Sequence, residues 1–93
     1  MMKKYMIECE LPGIGQADAE TLARAAATSN AALAKLAPRV QWQQSYVTGD
    51  KTFCVYLAED EEATRRHAEL SGIPASRITQ AGRIIDPTTA ARA

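Results

Sequence analysis

Between Val40 and Arg83 the chain reads VQWQQSYVTGDKTFCVYLAEDEEATRRHAELSGIPASRITQAGR. In this stretch the spacing of apolar residues changes from two to about three and a half and back again, with almost no residues spent on linkers. Alternation from Val40 to Tyr46, the Gly49-Asp50 pair, and a second alternating run from Lys51 specify a tight β-hairpin. Asp60 then sits where a helix N-cap belongs, followed by Glu61 and Glu62 at the positive end of the helix and by Arg65, Arg66 and His67 toward its negative end. Gly72 and Pro74 supply a helix stop, and Ile78 to Ile85 reads as a further strand.

The first half repeats the theme. Tyr5, Ile7, Cys9 and Leu11 alternate with Met6, Glu8 and Glu10, which predicts a half-buried strand ended by Pro12-Gly13-Ile14-Gly15. Asp18 caps a helix over 19–36 whose core stripe is Leu22, Ala26, Ser29, Leu33 and Leu36. Pro38 prevents its continuation. The order strand, helix, strand, strand, helix, strand, with both crossovers right-handed, predicts an α+β ferredoxin-like βαββαβ sandwich: a four-stranded antiparallel sheet carrying two helices on one face. The expected organisation is one domain over residues 1–87 and a flexible C-terminal tail over 88–93. A chain of 93 residues buries little surface by itself, so a homodimer formed through the helix-free face is expected.

Composition narrows the function classes. Eleven Lys and Arg balance eleven Asp and Glu, leaving no basic excess to collect nucleic-acid phosphates or an anionic membrane surface. Two cysteines are too few for a disulfide framework and do not form a Cys-x-x-Cys pair. No segment reaches the ~20 apolar residues of a membrane span. Glu8 and Glu10 interrupt the N-terminal run before it attains signal-peptide length. The expected location is the cytoplasm.

The hairpin register follows from its turn. If Thr48 pairs with Lys51, Tyr46 lies opposite Phe53, Gln44 opposite Val55 and Trp42 opposite Leu57, which gathers the bulky residues on one face, toward the helices. The other face then carries Gln43, Ser45, Cys54 and Tyr56 beside Met6, Glu8 and Glu10, with Arg83 of the last strand within reach of Glu8. This polar patch is the expected ligand-binding site: Glu8, Gln43, Ser45, Cys54, Tyr56 and Arg83. A carboxylate enclosed there needs a cationic partner, although a solvated sheet face with an ordinary cross-strand ion pair would look the same in sequence. His67, the sole histidine, is the candidate metal ligand or proton-transfer group, set against a plain role as a helix-end cation. Cys9 and Cys54 read as small apolar residues on opposite faces, and Trp42, Tyr46 and Phe53 as core aromatics. Pro12-Gly13-Ile14-Gly15 lacks the third glycine of a dinucleotide fingerprint.

The segments YMIECELPGIG, TSNAALAKLAP, the run from Val40 to Thr79 and the close IIDPTTA resemble a family of small bacterial proteins of unknown function that includes a nickel-binding protein. The resemblance implies the same ferredoxin-like fold, a dimer whose sheets face each other, and nickel as the cofactor to consider. The reading that follows is a small homodimeric binding protein that takes a metal ion or small molecule at the dimer interface. The alternatives are a dimeric α/β-barrel enzyme of monooxygenase or isomerase type, with Glu8 or His67 transferring protons, and an interaction module without a small ligand.

Overall fold

In the computed structural model residues 1–92 are described; Ala93, the last residue of the expected tail, lies outside them. Four strands and two helices follow in the order β1 (Lys3–Glu10), α1 (Ala19–Leu36), β2 (Val40–Val47), β3 (Lys51–Ala58), α2 (Glu61–Ser71) and β4 (Arg77–Ala81). The sheet order is β2-β3-β1-β4 with every neighbouring pair antiparallel. This is the ferredoxin-like α+β sandwich expected from the pattern. No helix among the described residues is long and apolar enough to cross a membrane.

Local chemistry sets the boundaries. The Asp18 carboxylate accepts from the Thr21 amide at 2.8 Å and the Asp60 carboxylate from the Ala63 amide at 2.9 Å, so each helix starts on a side-chain cap. Gly72 closes α2 with φ 74°, a conformation that disfavours any side chain, and its amide returns to the Ala68 carbonyl. Arg39 explains the acidic run before α2: its guanidinium reaches Glu59 at 3.1 Å and Glu62 at 3.0 Å. The Pro12 to Gly15 turn is likewise structural. Its Gly13 amide donates to the Asp50 carboxylate at 2.9 Å and its Gly15 amide to the Gly49 carbonyl at 3.0 Å, which locks the β1–α1 loop onto the hairpin turn.

Core residues come from alternate positions: Tyr5, Ile7 and Cys9 of β1, Cys54, Tyr56 and Ala58 of β3, Val40 of β2, Leu36 of α1 and Ala63 of α2 form one buried cluster. The helix-facing side of β3 is therefore Thr52, Cys54, Tyr56 and Ala58, and the expected assignment of Phe53, Val55 and Leu57 to that side is corrected. Register supplies the reason. Helix-facing Ile7 pairs with Cys54 and Tyr5 with Tyr56, and opposite residues in a ladder share a face. Trp42 does face the helices, by a route the regular hairpin did not include: a β-bulge between Trp42 and Gln44 places Trp42 opposite Tyr56 rather than Leu57, while Tyr46 stays opposite Phe53 on the open side.

The last strand is shorter than the expected Ile78 to Ile85. β4 ends at Ala81, so Arg83 lies beyond it, and Ile84 and Ile85 are exposed. Pro87–Arg92 turn in a 3-10 helix, entered through Asp86, whose carboxylate accepts from the Thr88 amide at 2.8 Å.

Candidate functional site

The sequence-derived patch divides between the two sheet faces. Glu8 lies on the open face, where Lys51 approaches it at 3.7 Å and Glu10 at 3.4 Å while standing 5.7 Å above the Phe53 ring. Lys51 thus takes the partner role expected of Arg83, and the register neighbour of Glu8 on β4 is Arg77. Arg83 instead lines a shallow recess with Met2, Lys4, Gln80 and Ile84. Gln43 is the extra residue of the bulge and is exposed. Ser45, Cys54 and Tyr56 go to the helix side.

There they floor a cavity of about 210 Å³ between α1 and the sheet. Leu11 and Ile14 come from the β1–α1 loop, Leu22, Ala26 and Ser29 from α1, Trp42, Ser45 and Val47 from β2, Thr52, Cys54 and Tyr56 from β3, and Ile73 from the segment after α2. The volume equals about seven waters of liquid at ~30 Å³ each and is smaller than the ~300 Å³ at which drug-sized sites begin. Its walls are mostly hydrocarbon; its floor is a set of hydroxyls around one thiol.

The bulge builds this floor. It turns Trp42 inward, so that the indole Nε1–H donates to Ser45 Oγ at 2.9 Å. Ser45 sits directly opposite Cys54 in the ladder, and with its oxygen accepting from the indole its own proton is free for the sulfur. The Thr52 hydroxyl lies 3.4 Å from Cys54 Sγ on the other side. Hydrogen bonding with the Cys9 thiol first, then with Ser45 and Thr52, lowers the pKa of Cys54 below that of an ordinary thiol even though burial opposes this. Cys9 moves the opposite way, because its proton is held in the bond to Cys54 and burial penalises its thiolate. The two cysteines share one face, which corrects the expectation that they alternate. Burial raises the Tyr56 phenol, which stays protonated.

His67 is 3% exposed. It points from α2 into the space between the helices, where Nε2 and the Ser29 hydroxyl share a hydrogen bond of 3.1 Å and its ring lies 5.1 Å from that of Tyr56. Burial pushes its pKa down, so the neutral imidazole is the native form. The helix-end cation is corrected accordingly: His67 is a neutral polar link in the core, adjoining the cavity through Ser29 and Tyr56.

The family model for nickel responsive proteins, SCO4226-like, matches residues 5–81. The chain belongs to this family. The crystal structure of SCO4226 from Streptomyces coelicolor A3(2) is similar, with a TM-score of 0.74 and 18% sequence identity over 88% of this chain and 99% of that chain. At that identity the likeness establishes the fold. No curated protein matches.

Nickel, the metal in the family's description, needs several converging imidazole, thiolate or carboxylate donors. Among the described residues no three His, Cys, Asp or Glu side chains converge on one point, so those residues of one copy supply no three-ligand coordination sphere. Sequence reasoning missed Ser29, Trp42 and Thr52 as parts of one site. The available signal was the serine in the middle of an otherwise apolar α1 stripe: a hydroxyl facing a core calls for a polar partner, and His67 and Tyr56 are the ones it meets.

Proposed function

We propose that this protein is a small-ligand-binding member of its nickel-responsive family, with its site in the helix-facing cavity rather than on the open sheet. The observation that carries this reading is the composition of the cavity: hydrocarbon walls above a hydrogen-bonded floor of Ser45, Thr52, Cys54 and Tyr56. Such a site takes a compact, mainly apolar molecule of about seven heavy atoms bearing one polar group. The buried free thiols suit a reducing compartment, and the cytoplasm is the location this reading assigns.

A second copy belongs to the proposal. The open face has Val55, only 9% exposed, at its middle and Tyr46, 56% exposed, at its side, with half-buried Met6, Phe53 and Leu57 around them. Lys4, Glu8, Glu10, Lys51 and Arg77 bring both charge signs to its edges, as a two-fold interface that meets itself requires. The nickel response in the family's name would then draw on ligands from more than one copy.

Amide-detected NMR of the full chain, titrated separately with cyclohexanone and with nickel chloride, tests the site. Shifts centred on Ser29, Ser45, Cys54 and Ile73 with cyclohexanone are expected. Changes confined to the open face, or a nickel response at the cavity floor without any response to the ketone, would overturn the small-molecule reading.

A further inference from the structure

We propose that the cavity is a thiol-addition site, in which Cys54 adds to small conjugated carbonyl compounds such as enones. The inference rests on the cavity reading above and goes beyond it by naming the chemistry and the ligand class.

Four observations converge. Cys54 lines the cavity and Cys9 does not, so an occupant meets one sulfur only. Polar side chains surround that sulfur: the Thr52 hydroxyl lies 3.4 Å from it and Ser45 stands opposite it in the ladder. The bond from Trp42 to Ser45 at 2.9 Å fixes which way the serine proton points. A bulge that bends β2 to aim an indole at a serine is a costly way to fill a core, and strand irregularities of this kind tend to re-aim side chains at sites. No carboxylate lines the cavity, so nothing there repels a developing thiolate.

Tyr56 supplies the complementary group. It is the next residue on the same face of β3, roughly 7 Å along the strand, and it lines the same cavity with its phenol protonated. A carbonyl oxygen accepting from Tyr56 brings the conjugated carbon–carbon bond toward Cys54, while the apolar walls hold the hydrocarbon part. The sulfur lone pair forms the S–C bond at the β-carbon, the π pair of the double bond moves to an enolate whose oxygen Tyr56 hydrogen-bonds, and the proton lost by Cys54 returns at the α-carbon. Thiol plus enone gives thioether, with no change of oxidation state and no co-reactant.

The test uses the full chain with 2-cyclohexenone and its unreactive analogue cyclohexanone, read by intact mass, peptide mapping and the NMR titration above. One adduct is expected, on Cys54, with a rate that saturates in enone and falls when cyclohexanone is added. Trp42→Phe, which keeps an aromatic ring but removes the donor to Ser45, and Ser45→Ala should each slow addition by about tenfold, the worth of one hydrogen bond to a charged group, while Cys9→Ser should still form the adduct. Modification of Cys9 before Cys54, a rate that rises linearly without saturation, or labelling only in urea would overturn the inference. If cyclohexanone shifts the cavity resonances and the enone fails to add, the thiol-addition inference falls while the binding site stands; if neither compound shifts them, both fall.

Discussion

Replacing Ser29 with alanine should destabilise the protein by more than the loss of a hydroxyl from a helix suggests. Ser29 is buried and its oxygen partners His67 Nε2 at 3.1 Å. Removing it leaves a ring nitrogen in the core without a partner, a loss of about 2 kcal/mol, while alanine regains about 0.5 kcal/mol of helix propensity within α1. The net is about 1.5 kcal/mol, which for a domain of this size lowers Tm by roughly 6–12 °C. Urea unfolding followed by far-UV circular dichroism should show a lower midpoint with an unchanged slope. A loss below about 0.5 kcal/mol would mean that water already satisfies His67 and that the buried link between the helices is not formed. Acidity gives the same pair a second readout. Burial holds the folded-state pKa of His67 below 6.5, so as pH falls through that value the unfolded chain gains a proton that the folded one refuses. Stability should decline from about pH 6.5 downward, and between there and roughly pH 5, above the carboxylate range, His67→Gln should flatten the curve. A wild type that gains stability in that window would restore the helix-end cation.

Trp42→Ala should lose about 3 kcal/mol in the same urea assay, since the indole packs on the helix side and holds Ser45; a change under ~1 kcal/mol would place it in solvent. Gly15→Ala should cost about 1–3 kcal/mol, because a Cβ there meets the Thr48 carbonyl at 2.8 Å and Gly49 Cα at 2.9 Å, whereas Gly49→Ala meets nothing within 4 Å; thermal melts giving equal losses would contradict that approach. Sedimentation of wild type should give a dimer, and Tyr46→Glu, on the open face, should give a folded monomer. A monomeric wild type at micromolar concentration would end the interface proposal.

The element order was legible because caps and stops are local: Asp18, Asp60 and Gly72 act within four residues of themselves. The faces of the hairpin were not. β3 is half-buried or buried along its whole length, so no polar row marks its outside, and ranking by bulk sends Phe53, Val55 and Leu57 inward. The structure does the reverse: the inner row of β3 carries Tyr56 beside the His67 ring, which shares a hydrogen bond with Ser29, and the Thr52 hydroxyl beside Cys54, so polar groups of the core stand together. The bulge was hidden for a related reason: a two-residue alternation is blind to one inserted residue, and Gln43 looks like any outward-facing glutamine. Neither error touched the fold, since a ferredoxin-like sheet closes in the same order whichever way β3 faces. Both fell on the site, because Trp42, Ser45 and Cys54 reach one cavity only when a residue is skipped between the first two. A chain of this kind therefore shows its architecture in its periodicity and its site where periodicity breaks, and the polar side chains of a core are the better guide to which way a strand is turned.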